Sequence, residues 1–253
     1  MLHAITHNKS RVYERYLGHR DPGEKRVSEE DEITALVMGP LAFLPAGAIG
    51  AFWMALAKKG KLGEFPEGPV THAEMRFWPR KNRVEPDMLV ELWWWTEKWS
   101  LLIEFKWRAP LSGEDQLHKQ WKNFLPPDEQ KRALHIFIAP ETSAGIEAKG
   151  REDIWKGHLL LFSWYDVLNT LHELKSSELL LRRWSEEVIG CLERLGIRPF
   201  CGFKKLGALE LAPQRAEVFW RGFDGFAGLE TSEIFSVNGS QQIFFYAAGG
   251  CHG

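Results

Sequence analysis

The chain has 253 residues, of which 44% are hydrophobic and 26% are charged, as in ordinary globular proteins. This length can hold one large domain, or one domain with an appendage. The formal net charge of −2 and the isoelectric point of about 6.5 argue against a protein that coats nucleic acid through overall positive charge, although a local basic footprint remains compatible with them.

The first part of the chain contains a long stretch without charge. Residues 1–24 are predicted to be a polar lead-in with a short helix. Residues 33–57 carry no charged side chain, which is long enough to span a bilayer. Pro40 and Pro45 interrupt this stretch, so we expect two buried helices, the second over Ala48–Lys58. A membrane-associated protein built around this stretch is the less favoured alternative.

Three strands are expected next, over Thr71–Pro79, Met88–Trp95 and Trp99–Phe105. Thr96-Glu97-Lys98 is interpreted as the hairpin turn between the last two of these strands, which makes them antiparallel. Residues 99–105 form a nearly continuous apolar run, which is typical of a central strand covered on both faces.

The remaining pattern alternates helices and strands. An amphipathic helix over Gly113–Phe124 has Leu117, Trp121 and Phe124 on one stripe, with Gln116 and Gln120 along its edge. It leads by a crossover into another strand, which predicts a mixed sheet. The further elements are predicted to be strands at Leu134–Ala139 and His158–Trp164 and helices at Tyr165–Lys175 and Ser177–Leu195. The fold class is therefore α/β, with a central mixed sheet flanked by helices and with helical and irregular C-terminal additions.

The predicted domain organisation has three parts. Residues 1–24 form the lead-in, residues 25–175 form the core, and residues 176–253 form a C-terminal extension. After residue 196 the helical periodicity is lost, and Gln242–Tyr246 is interpreted as a strand.

Two polar motifs lie where the paired strands begin and end. Asp87 precedes the second strand, and Glu104 and Lys106 end the third. Side chains alternate along a strand, so Glu104 and Lys106 point the same way and Phe105 points the other way. Antiparallel pairing then brings Asp87 beside Glu104. Two carboxylates and an ammonium group at one place suit a hard divalent cation and an activated water.

This pattern, Pro86-Asp87, sixteen residues, then Glu104-Phe105-Lys106, resembles the PD-(D/E)XK nuclease superfamily, which has the restriction-endonuclease-like fold. The resemblance covers roughly residues 25–165. It implies that Asp87, Glu104 and the backbone carbonyl of Phe105 ligate Mg²⁺ or Mn²⁺, and that Lys106 positions water or stabilises phosphate charge. Within Ser28-Glu29-Glu30-Asp31, Glu30 is the expected additional metal-site residue, and Gln116 is the expected helix residue.

Basic residues on both sides of the motif predict a local contact with nucleic acid. Those chosen are Arg83, Arg108, Lys119 and Lys122, although each could equally be an ordinary solvated surface charge. Three widely spaced cysteines argue against a disulfide scaffold or a cysteine zinc site and favour the cytoplasm. His118, His135, His158 and His172 show no metal-ligand spacing and are interpreted as surface or core residues.

The expected function is that of a Mg²⁺-dependent nuclease acting on DNA, in the restriction, phage-defence, mobile-element or repair setting that the resemblance implies. Its main rival is a non-catalytic nucleic-acid-binding or assembly module that kept the fold. A plainer interpretation makes Glu104 and Lys106 a surface ion pair. The apolar run before them argues against it, because charges that end a covered strand need partners or a metal. Partnership with a second copy or another protein is left open.

Overall fold

A computed structural model describes residues 2–7, 14, 29–60, 65–66, 68–107, 110–113, 115–174 and 178–198. Arg108 and the predicted strand at Gln242–Tyr246 lie outside these ranges, as does most of the predicted C-terminal extension. The side chains of the predicted site are otherwise within the described residues.

The centre of the fold is a five-stranded sheet with the strand order β1-β2-β3-β4-β5. Its strands are β1 (His72–Phe77), β2 (Met88–Trp94), β3 (Glu97–Phe105), β4 (Ala133–Ala139) and β5 (Leu159–Ser163). The first three strands pair antiparallel, whereas β3 with β4 and β4 with β5 pair parallel. The predicted α/β class with a central mixed sheet is therefore confirmed.

Helices flank the sheet on both sides. They are α1 (Leu2–Thr6), α2 (Glu29–Met38), α3 (Ala46–Lys59), α4 (Gln116–Phe124), α5 (Ser143–Arg151), α6 (Trp164–Glu173) and α7 (Leu179–Arg194), with short 3₁₀ turns at Pro40–Phe43 and Glu129–Arg132. Helix α5 was not expected from the sequence. Its buried positions include Gly145 and Ala148, so it has no stripe of large apolar side chains, while Ile146 is exposed.

The hairpin turn between β2 and β3 lies earlier than predicted. Trp95 and Thr96 form it, and Glu97 and Lys98 already belong to β3. Trp95 takes a left-handed conformation with φ of 58°, which a non-glycine residue rarely adopts. The local sequence has no glycine or asparagine that would have marked this position as the turn.

The uncharged stretch forms two helices, as expected. Helix α2 ends at Met38, a 3₁₀ turn follows, and α3 begins directly after Pro45, whose ring fits the start of a helix. Within the described ranges, no helix is long and apolar enough to cross a membrane.

Each face of the sheet has its own apolar core. Val90, Leu101 and Ile103 pack on the first face, which α2, α3, α6 and α7 cover. Leu89 and Leu102 pack on the second face, which α4 and α5 cover. Because side chains alternate along a strand, Asp87 lies on the same face as Leu89, and Glu104 lies on the same face as Leu102. The predicted site is therefore on the second face of the sheet.

Candidate metal centre

Asp87 and Glu104 are neighbours because of the register between β2 and β3. Met88 pairs with Ile103, and one further step places Asp87 opposite Glu104 on the second face of the sheet. The Phe105 backbone N–H donates a hydrogen bond of 2.7 Å to Asp87 Oδ2 and fixes the carboxylate. The sequence-derived juxtaposition of these two carboxylates is therefore present.

Helix α4 holds the Glu104 carboxylate from the second face. Gln116 and Gln120 are four residues apart, so they share one side of the helix. Gln116 Nε2 donates to Glu104 Oε1 at 2.6 Å, and Gln120 Nε2 donates to Oε2 at 2.7 Å. Glu104 is only 1% exposed, so these bonds replace hydration that the carboxylate has lost.

Lys106 is held by both its main chain and its side chain. Its N–H donates to the Ile138 carbonyl, and its own carbonyl accepts from the Trp164 indole, each at 2.7 Å. Its Nζ lies 2.8 Å from Glu104 Oε1 and 3.3 Å from Glu30 Oε2. The ammonium group is therefore fixed between two carboxylates.

Glu30 joins the cluster from the first turn of α2. Besides its ion pair with Lys106, its Oε1 accepts from the Trp107 N–H at 3.1 Å. Asp31 follows it, accepts from the Trp78 indole at 3.1 Å, and lies close enough to Asp87 to repel its charge. The structure therefore brings together all the predicted catalytic side chains, including Gln116.

Acidic side chains outnumber basic ones in the cluster. Burial raises the pKa of Asp87 from its ordinary 3.8 to about 8, and repulsion from Glu104 adds to the effect. Burial also raises the pKa of Glu104, although Lys106 opposes the shift. For Lys106, burial lowers the pKa, but the surrounding carboxylates outweigh it and hold the pKa above its ordinary value. Three acidic side chains, Glu104, Glu30 and Asp87, therefore act on one ammonium group that stays charged at neutral pH.

The donor set fits a hard divalent cation in part. A carboxylate offers about four acceptor positions. The contacts described above use one on Asp87 and three on Glu104. Among the described residues, however, no three acidic, histidine or cysteine side chains form a complete metal-binding group. The arrangement therefore suits Mg²⁺ or Mn²⁺ held by two carboxylates, with water and a substrate phosphate as further ligands.

The predicted DNA-contacting residues lie at the surface. Arg83 is exposed in the Lys81–Val84 turn, and Lys119 and Lys122 are exposed on α4. Lys122 forms an exposed ion pair of 3.0 Å with Glu152, so part of its charge is already balanced. None of the three has a described contact with the carboxylate cluster.

A cavity of about 500 Å³ opens beside Lys106 and is lined also by Trp107, Leu111 and Phe137. A larger groove, about 650 Å³, lies between α2 and α7 and includes Leu36 and Trp184 in its lining. We assign the site to the smaller cavity because it borders Lys106, whereas the larger groove contains no residue of the cluster.

The sequence pattern predicts Gln116 as the helix residue of the site but does not single out Gln120. Gln120 lies four residues after Gln116, and this spacing places both side chains on one side of the helix. Asp31 was within the expected acidic segment but was not selected. For His135 the sequence indicates only a surface or core residue. The structure buries it completely behind Gln120, and no local pattern predicts that long-range contact.

No protein-family model matches this chain, and no curated protein or solved structure matches it either. Membership of the PD-(D/E)XK superfamily therefore stays an expectation based on the motif, and function must be argued from the site.

Proposed function

We propose that this protein is a Mg²⁺- or Mn²⁺-dependent nuclease that hydrolyses phosphodiester bonds of DNA. The observation that carries the proposal is the convergence of Asp87, Glu104 and Lys106 at the end of a central strand. Buried carboxylates with raised pKa values are typical of sites that bind a cation or perform acid–base chemistry. The motif's resemblance to the PD-(D/E)XK nucleases supports the same function.

The proposed roles follow from the chemistry of each side chain. Asp87 and Glu104 would hold the cation, with the Phe105 carbonyl and Glu30 as further ligands, directly or through water. When bound, the cation would supply a positive charge to the scissile phosphate and lower the pKa of a coordinated water. Lys106, kept charged by its carboxylate neighbours, would orient that water or stabilise charge developing on the phosphate.

The protein has a net charge of −2, so any attraction for DNA would come from individual basic residues near the site. Arg83 and Lys119 are exposed and could contact phosphates of the DNA backbone, which position a duplex without reading its sequence. The cavity beside Lys106 would receive part of the substrate. DNA is proposed ahead of RNA on the resemblance alone.

One observation favours the rival function of a non-catalytic nucleic-acid-binding module. The cluster partly satisfies itself, because Gln116, Gln120 and Lys106 already donate to Glu104. A scaffold could keep such a network. A non-catalytic scaffold would gain little stability from a buried charged cluster, however, because burying charge is costly even when the charges are paired.

A cleavage panel tests the proposal. Single- and double-stranded DNA and RNA are incubated with Mg²⁺, Mn²⁺ or EDTA, using wild type and the Asp87→Asn, Glu104→Gln and Lys106→Met variants. We expect cleavage that requires metal, with a loss of about 100-fold or more in each variant. Asp128→Asn, which alters an exposed carboxylate, is the control and should cleave normally. DNA binding without cleavage of any substrate would favour the rival, and cleavage that persists in EDTA would contradict the proposed role of the metal.

A further inference from the structure

A chain of buried hydrogen bonds leads from the core to Glu104. The Trp155 indole Nε1 donates to His135 Nδ1 at 3.0 Å. His135 Nε2 lies 3.2 Å from Gln120 Oε1, and Gln120 Nε2 donates to Glu104 Oε2 at 2.7 Å. His135 is 0% exposed and Gln120 is 2% exposed, so water does not compete with these bonds.

The direction of each bond is fixed by what the groups can donate. An indole nitrogen can only donate, so His135 Nδ1 must accept. A neutral imidazole then carries its proton on Nε2, and that N–H donates to the Gln120 oxygen. The Gln120 amide NH₂ group is thereby turned toward Glu104 and donates to its Oε2.

The imidazole is suited to this role because it stays neutral. Burial, reinforced by the nearby His118, lowers the pKa of His135 to about 3. Trp121 stacks on the ring, with an interplanar angle of 8° and centroids 6.0 Å apart. The ring is therefore held by packing and by hydrogen bonds at both nitrogens.

The two glutamines differ in what orients them. The Gln116 oxygen accepts from the backbone N–H of Ser112 at 2.7 Å, so no side chain is required to turn it. The Gln120 oxygen depends on a side chain, His135. Removing the His135 donor would leave Gln120 free to reverse its amide and to present oxygen to the carboxylate.

We propose that His135 is a positioning residue: locked in its Nε2–H form by Trp155, it orients Gln120 and thereby holds the Glu104 carboxylate in place for a divalent cation. The part that concerns the cation rests on the proposed function. The part that concerns the His135 tautomer does not depend on that function, so separate experiments can refute the tautomer and the effect on cation binding.

The tautomer is tested on the metal-free, full-length protein with ¹⁵N-labelled histidine. Long-range ¹H–¹⁵N spectra distinguish the two neutral forms from imidazolium, and a His135→Gln sample assigns the signals. We expect one Nε2–H form that does not change between about pH 6 and pH 8. A His135 protonated on Nδ1, or charged in this range, would overturn the proposal.

Two tryptophan variants separate the hydrogen bond from packing. Trp155→Phe removes the indole donor and should give a mixture of the two neutral tautomers. Trp121→Phe alters an aromatic ring that contacts the same imidazole by stacking, and the Nε2–H form should persist. Persistence of a single Nε2–H form in Trp155→Phe would show that Trp155 does not lock the tautomer.

The link to the cation is tested by Mn²⁺ affinity, measured without DNA from the electron paramagnetic resonance signal of free Mn²⁺. We expect His135→Phe to weaken binding about tenfold, because groups behind a ligand tune its affinity for metal. His135→Gln, which can both accept from Trp155 and donate to Gln120, should recover most of it. Equal affinity in wild type and a folded His135→Phe would refute the link. A wild type that binds no Mn²⁺ even with an uncleavable DNA duplex present would refute the proposed function. The tautomer spectra would then still test whether His135 orients Gln120.

Discussion

The substitution Asp87→Asn should stabilise the metal-free protein, although it removes a residue of the proposed active site. The side chain keeps an oxygen that can accept from the Phe105 N–H, but it no longer places a carboxylate beside Glu104. The stabilisation should grow with pH, because the folded protein resists ionising this carboxyl group while the unfolded chain does not.

The size of the effect follows from the two pKa values. With a folded pKa of about 8 and an ordinary value of 3.8, the carboxyl group destabilises the folded state by about 4 kcal/mol at pH 7. Asp87 is partly exposed, and solvent screening reduces this figure, so we expect an observed gain of roughly 1–3 kcal/mol. For a chain of this size the melting temperature should rise by about 3–10 °C.

The sign is fixed by proton linkage. Below about pH 3 the group is protonated in both states, and wild type and variant should be equally stable. As the pH rises toward 8, the unfolded chain releases the proton first, so wild type loses stability relative to Asp87→Asn. Above about pH 8 both states are ionised, and the difference should become constant.

Thermal unfolding in EDTA at several pH values between about 3 and 8.5 measures this difference. Asp128→Asn, at an exposed position, is the matched control and should follow wild type. Mn²⁺ at ten times its dissociation constant should add about 1.4 kcal/mol to wild type and much less to Asp87→Asn. A variant that is less stable than wild type at every pH, or a difference that does not change with pH, would show that Asp87 is not in a repulsive, desolvated cluster.

Two further predictions concern the surface and the core. Arg83→Ala and Lys119→Ala should each weaken DNA binding similarly for all sequences and reduce the dependence of log affinity on log salt by about 1, as fluorescence anisotropy at several salt concentrations would measure; an unchanged slope would remove these residues from the interface. Gly50→Ala should destabilise the fold by about 1–3 kcal/mol in denaturant unfolding, because its β-carbon would overlap a Val70 methyl group. The matched Gly47→Ala has open space and should be neutral or stabilising by up to about 1 kcal/mol, so an equal response of both variants would contradict the packing of α3.

The sheet and the paired carboxylates could be predicted because local patterns encode them. Alternation along β2 and β3 indicates which side chains of each strand share a face, and antiparallel pairing brings Asp87 and Glu104 to the same end of the two strands. The exact register depends on the turn. The sequence does not reveal the turn, because the left-handed position is taken by Trp95, which is not a typical turn residue.

Other features depend on tertiary packing and leave little local signal. Helix α5 is buried through Gly145 and Ala148, which do not produce an apolar stripe. His135 lies on β4, and Trp155 lies in the segment between α5 and β5. The two residues meet because β5 pairs parallel with β4, and His135 in turn contacts Gln120 on α4. Such long-range contacts decide how Glu104 is held, and a single sequence does not contain them.

The most direct measurement is anomalous diffraction from crystals soaked with Mn²⁺ and a short DNA duplex that carries an uncleavable phosphate. We expect a manganese peak between the carboxylates of Asp87 and Glu104, about 2.1–2.3 Å from an oxygen of each, with a DNA phosphate completing its shell. The peak should disappear in Glu104→Gln. A manganese ion bound elsewhere, or DNA bound with no metal at these carboxylates, would contradict the account.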